Sequence, residues 1–266
     1  ILYFAIDTDS VIWLSASIYS GKSYGAMANF RHLWQWLYAA IVAACILLQL
    51  VLTRTSIGRT EAYYILAVTS GLFYMYCFFG DANHWLGLQS GEVKNDILFI
   101  LTFGYLFFGL LFVKNYLCVK QLSPWLESIF LLQCLFVLVG WVLIFNAYEI
   151  NQHRVQVAAS LTILSGLVIL LGTYMALRRG LSGAWGLMIT WSLISLSGMA
   201  SSLLFIGAIP FNGIISRSVL WLFPLDVIVL SSFFVFQHLR YRKELQHLRV
   251  LLDHQKAETS EVITPV

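Results

Sequence analysis

Charge is scarce in this sequence. Only 11% of its 266 residues are Asp, Glu, Lys or Arg, against roughly a quarter in soluble domains. Its 16 basic and 13 acidic side chains could not wet the surface of a 30.2 kDa globule. A water-soluble enzyme is excluded. So is a disordered chain, which needs low hydrophobicity and high net charge. A net charge of +3 is too small for a nucleic-acid footprint, and no nucleic-acid partner is expected. Cysteine is scarce too. Cys45, Cys77, Cys118 and Cys134 fall in or beside apolar runs without metal-type spacing, which argues against a disulfide framework or a metal site. The chain opens without a Met and without a basic n-region ahead of a cleavage site. Ile1-Leu2-Tyr3-Phe4 reads instead as the interior of a longer protein.

Apolar residues fill the space that charge leaves. They make up 59% of the chain, with 15% aromatic and a mean hydropathy of +0.80. A helix crosses roughly 30 Å of hydrocarbon with about 20 apolar residues. Seven segments qualify, at about 33–53, 62–80, 97–117, 125–146, 155–177, 184–208 and 218–239. Ser123-Pro124 opens the fourth and Pro210 closes the sixth, positions where proline costs least. The expected fold is an all-α seven-transmembrane helix bundle in a multi-pass membrane protein surrounded by lipid.

Orientation follows from the basic residues. With the N-terminus outside, the inner side carries eleven: Arg54, Arg59, Lys114, Lys120, Arg178, Arg179, Arg240, Arg242, Lys243, Arg249 and Lys256. The outer side carries five: Lys22, Arg31, Lys94, Arg154 and Arg217. The excess of Lys and Arg on the cytoplasmic side therefore places the N-terminus out and the C-terminus in.

The flanks have their own patterns. Leu2, Phe4 and Ile6 precede Asp7-Thr8-Asp9-Ser10, and Val11 and Trp13 follow. Such alternation around a polar turn predicts a β-hairpin. Two strands alone are marginal, so residues 1–30 read as the end of an extracytoplasmic β-domain and its linker. Residues 31–239 then form the bundle and 240–266 a cytoplasmic helix. Tyr241, Leu245, Leu248 and Leu252 are spaced 4, 3 and 4 apart, a short heptad seam. The seam predicts a homodimer joined through parallel cytoplasmic helices, with an amphipathic helix on the inner leaflet as the other reading.

The polar residues inside the spans narrow the function. A retinal protein needs a lysine in the seventh span, and none occurs between residues 218 and 239. A membrane-embedded zinc hydrolase needs histidines at depth, but His32, His84, His153, His238, His247 and His254 all lie near the faces. Asp81-x-x-His84, Glu92, Asp96, Glu149 and His153 share the outer side but match no metal-site spacing. No catalytic residue, cofactor or metal is expected. A transporter or channel is the competing class, supported only by Asp226 and the serines of the sixth span.

Asp226 stands about eight residues into the seventh span, just after Pro224, which can kink the helix and free a carbonyl. An ionisable group at that depth costs on the order of 3 kcal/mol on insertion scales and is a functional candidate by default. Its alternative is structural, a hydrogen bond that glues two helices. The sixth span holds Ser192, Ser195, Ser197, Gly198, Ala200, Ser201, Ser202 and Gly207. Gly198-x-x-x-Ser202 is a small-xxx-small step suited to close packing or to a sliding face; Ser197 and Ser201 are the signalling candidates there. Tyr74, Tyr76, Phe78, Trp85, Trp141 and Trp221 crowd the outer half, as belt and core residues or as the wall of a site for a small apolar ligand.

Four stretches make the chain resemble the bacterial seven-transmembrane receptors with diverse intracellular signalling modules. They are the strand pair Leu2-Tyr3-Phe4-Ala5-Ile6 and Ile12-Trp13-Leu14, then Ala62-Tyr63-Tyr64-Ile65-Leu66 after a basic loop. Leu177-Arg178-Arg179-Gly180 with Ala184-Trp185-Gly186 and Gly207-Ala208-Ile209-Pro210 is the third. The fourth is Asp226, where the family more often has Glu, with Ser231-Ser232 and Leu239-Arg240. The resemblance implies an outer sensory domain that takes an unidentified ligand, a transmitter in the bacterial inner membrane, and an inner output enzyme. That enzyme is a histidine kinase of a two-component system or a diguanylate cyclase. Thr259-Ser260-Glu261-Val262-Ile263-Thr264-Pro265-Val266 resembles the phosphoacceptor box of histidine kinases, with Ser260 where histidine belongs. A serine cannot take a phosphoryl group on nitrogen, so the box is inert as written.

Overall fold

The computed structural model describes residues 21–52, 58–79, 91–146, 153–181, 184–210, 215, 218, 222–233, 235 and 236. The expected hairpin, the seam Tyr241, Leu245, Leu248 and Leu252, and Ser260 lie outside the described residues. Among the described residues all regular structure is helical. In chain order the helices are α1 (Gly21–Leu52), α2 (Arg59–Phe79), α3 (Gly91–Tyr116), α4 (Pro124–Asn146), α5 (Arg154–Arg178), α6 (Ala184–Phe205) and α7 (Leu222–Phe233). A single turn, Val119–Leu122, links α3 to α4.

Four of these are long and apolar enough to cross a bilayer, over Asp96–Tyr116, Pro124–Ile144, Arg154–Arg178 and Ala184–Leu204. Trp36–Leu48 in α1 and Leu222–Phe233 are shorter apolar helices. α2 has the length, but Arg59, Glu61, Thr69, Ser70 and its tyrosines make it more polar. α1 continues towards the N-terminus well beyond the apolar run that opens at residue 33, reaching about 48 Å at 1.5 Å per residue.

Local chemistry sets the ends. Ser123 is extended at φ −164°, and Pro124 then occupies the first helical position, where its missing N–H is no loss. After α5, Gly180 takes φ +71°, and the bonds from Leu181 N–H to Ala176 O and from Gly180 N–H to Leu177 O close a Schellman cap. Gly207 repeats this at φ +76°, with Ala208 N–H bonded to Leu203 O. α6 therefore stops at Phe205, short of residue 208, because Gly207 caps the helix rather than extending it.

Side-chain contacts make the consecutive helices from α2 to α6 antiparallel. Tyr64 meets Phe112 while Gly71 faces Tyr105, pairing α2 with α3. Lys114 bridges to Glu127 at 3.4 Å, and Gly140 faces Phe103, pairing α3 with α4. Gly172 receives the Phe130 ring and Gly140 receives Leu161, pairing α4 with α5. Gly166 faces Ser195 and Gly198 faces Thr162, pairing α5 with α6. Gly186 faces Phe233 at the end of α7 distant from Asp226. In lipid there is no hydrophobic drive between helices, so such small-residue contacts and polar pairs hold the bundle. One such pair is Gln133 on α4, which donates to Ser165 Oγ at 3.0 Å across to α5.

α3 is the hub. Phe103, Leu106, Leu110, Phe112, Val113 and Leu117 are all buried against its neighbours. α4 by contrast turns Leu131, Leu132, Leu135, Phe136 and Val139 outward, a surface suited to acyl chains and not to water.

Candidate functional site

The site is built where α7 meets α2, α3 and α6. Asp226 is only 3% exposed, with the Thr190 side chain of α6 beside its carboxyl. The hydroxyls of Tyr64 and Tyr105 lie within electrostatic reach of it. Tyr64 also donates to Val227 O at 3.3 Å and stands 3.3 Å from Ser231 Oγ, so α2 grips α7 on both sides of the turn that follows Asp226. Pro224, half-buried, lies one turn or less away on the same helix.

An aromatic stack continues from this grip. Phe112 touches Tyr64 at 5.3 Å between centroids and Trp191 at 5.4 Å. Tyr105 stacks on Trp191 at 6.4 Å and meets Phe223 edge-on at 5.8 Å, while Tyr38 of α1 stacks on the same Phe223 at 6.1 Å. Rings reach so deep because glycines face them. A Cβ at Gly109 would stand 2.9 Å from the Trp191 ring, and one at Gly71 would overlap Phe223. Among the described residues, the hydroxyls of Tyr38 and Tyr105, Trp191 Nε1 and Asp226 Oδ1 are buried without a hydrogen-bond partner.

Above the Trp191–Phe223 layer lies a cavity of about 410 Å³ enclosed by α2, α3, α5, α6 and α7. Its walls come from the C-terminal half of α2, the middle of α3 from Leu98 to Gly109, mostly the N-terminal half of α5, and the middle and C-terminal half of α6. Antiparallel packing puts these stretches between the middle of the bundle and the side where α5 starts. The α6 wall carries Ser195, Gly198, Ser201 and Ser202, the small-residue face evident in the sequence.

The sequence candidates divide. Ser201 donates to Ile215 O at 3.0 Å, and Ser197 Oγ lies 2.5 Å from Ser218 Oγ, so both tie α6 to the segment entering α7. Asp226 joins them on the same pair of helices, one turn and more deeper. Tyr74 lines the cavity, whereas Trp141 faces outward. Asp96 has an ion-pair partner in Arg154, across the mouths of α3 and α5. Tyr64, Tyr105, Thr190, Trp191 and Phe223 complete the site without being sequence candidates for it. A signal was available for two of them: tyrosine and tryptophan favour the membrane interfaces, and Tyr105 and Trp191 stand well inside their spans.

The profile of the 7TM diverse intracellular signalling family matches residues 31–236. No curated protein and no solved structure matches the chain. The matched stretch takes in all the helices that build the cavity and the Asp226 cluster. The chain belongs to the 7TM diverse intracellular signalling family, and it is an integral, multi-pass membrane protein of the receptor and signalling class.

Proposed function

We propose that this chain is the transmitter of a receptor, coupling an extracytoplasmic sensory domain to a cytoplasmic output enzyme. Seven helices cross the bacterial inner membrane, N-terminus outside, with residues 1–30 ending the sensory domain and 240–266 leading to the output. Family membership supports the receptor reading. The observation that carries the mechanism is the grip on α7. Tyr64 holds Val227 and Ser231 from one side, and Ser197 and Ser201 hold Ser218 and Ile215 from the other.

A shift of α2 or α6 driven from outside therefore changes the contacts of α7, the helix nearest the tail. Two states that differ in those contacts by a few kcal/mol are enough for signalling. The seam Tyr241, Leu245, Leu248 and Leu252 then passes a rotation inward across a homodimer. The Thr259–Val266 stretch favours a histidine kinase over a diguanylate cyclase as the output, with Ser260 marking an acceptor box that cannot itself be phosphorylated on nitrogen.

The test is a fusion of this chain, through residues 237–256, to the catalytic core of a dimeric sensor kinase. Deleting one residue between 240 and 252 rotates the seam by about 100°. It should leave expression and membrane insertion intact while uncoupling autophosphorylation from the state of the bundle. Regulation that survives the deletion would rule out transmission through this helix.

A further inference from the structure

We propose that the cavity between α2, α3, α5, α6 and α7 is a binding site in the membrane domain itself, for a small uncharged amphiphile: an apolar body that ends in a hydroxyl group. The volume of about 410 Å³ lies in the range of ligand pockets, roughly 300–1,000 Å³. Its lining contains no Asp, Glu, Lys, Arg or His. A charged headgroup would enter without a counter-ion on the wall, a placement that is strongly unfavourable. Asp226 is not part of the lining.

The hydroxyls of the wall decide the headgroup. Thr102 and Thr162 donate to Leu98 O and Ala158 O of their own helices, each at 2.8 Å. Ser165 accepts from Gln133, and Ser201 donates to Ile215 O. Four polar groups of the wall remain without a partner among the described residues: the hydroxyls of Ser195, Ser202 and Tyr105, and Trp191 Nε1. Ser195 and Ser202 stand seven residues apart on one face of α6, about 10 Å along the axis, so a single ligand hydroxyl pairs with one or the other. A polar group left without a partner is costly, and each serine hydroxyl, in a buried residue and facing the cavity, can both donate and accept. An alcohol is the group that answers both capacities without carrying charge. The remainder of the wall, from Met75, Leu106, Ile169 and Ile194 to the rings of Trp191 and Phe223, suits the apolar body.

This site is independent of which enzyme forms the output, and its test is a binding measurement that the coupling experiment does not touch. The chain in lipid nanodiscs is titrated with 1-decanol, with decanoate and with decylammonium, three headgroups on one tail, and thermal unfolding is followed. Decanol should raise Tm saturably, and the two charged probes should not. Replacing both serines, Ser195→Ala with Ser202→Ala, should weaken decanol binding about tenfold. Ser202→Phe, which puts an aromatic ring into the cavity beside the headgroup position, should abolish the saturable shift. Should Ser202→Phe fail to fold, the alanine pair decides, and an unchanged decanol affinity there overturns the proposal. It is equally overturned by equal shifts from all three probes, by the absence of any saturable shift, or by a shift that persists in Ser202→Phe, which would mean simple partition into the bilayer.

Discussion

Asp226 presents two chemically distinct oxygens to its surroundings. Thr190 lies beside the carboxyl, as interhelical packing would require, but Oδ1 has no partner among the described residues. A side chain serving only as glue would have used both. The carboxyl lies within electrostatic reach of Tyr64 and Tyr105, whose helices α2 and α3 also line the cavity. A small displacement of either ring could give Oδ1 a partner in one packing and deny it in another. Asp226→Asn keeps the size and replaces one acceptor by a donor. In the kinase fusion it should change basal output about fivefold or more, the lower end of allosteric coupling, while thermal unfolding stays close to that of the parent. Normal folding with unchanged output would assign Asp226 to packing alone.

At the scale of the helices, glycine positions determine which contacts can move. A Cβ on Gly71 of α2 would overlap the Phe223 ring of α7, whereas one on Gly198 of α6 meets only Thr162 Cγ2 at 3.6 Å, an ordinary contact. Gly71→Ala should therefore destabilise the bundle by about 1–3 kcal/mol through overpacking, with Gly198→Ala within about 0.5 kcal/mol of the parent. Thermal unfolding of the two variants in the same detergent checks the contrast, and equal behaviour would mean that Phe223 simply rotates away. The difference was not legible in the sequence, where both are glycines in apolar runs. The runs themselves were legible, because bilayer thickness fixes the length of a spanning segment whatever it packs against. Which face of each helix turns inward was not, because lipid and helix neighbours are equally apolar and no amphipathic stripe separates them. That is why the sequence does not single out Trp191 and Tyr105, and why the α6 serines, polar against an apolar background, stand out in it. Asp226 stands out for the same reason, while Thr190, common in membrane helices, gives no sign, and Tyr64 is marked only by the Ala62–Leu66 stretch that carries the resemblance.

For the whole molecule, the direction of the bundle decides what the cavity can meet. The antiparallel packing places the turn between α3 and α4 and the start of α5 on opposite faces. The cavity walls run from the middle of the bundle towards the α5-start side, where Leu98, Val155 and Ser202 line them. In the proposed orientation, which follows the distribution of Lys and Arg, that side is outside, and the cavity then opens towards the proposed sensory domain and the outer leaflet, with the Trp191–Phe223 layer as its floor. Two positions test this directly. Cys118 is exposed in the turn after α3, and His153 is exposed at the start of α5, while Cys77 and Cys134 are buried. In a chain whose other cysteines are replaced by alanine, Cys118 should react with a membrane-impermeant maleimide only after cells are opened. In a second chain lacking Cys118 as well, His153→Cys should react in intact cells. The reverse pattern would turn the bundle over and place the cavity on the cytoplasmic side, and with it the direction of signalling would be reversed. Labelling of both from one side would contradict the antiparallel passage of α4 between them, which its length of 23 residues and its outward leucines support.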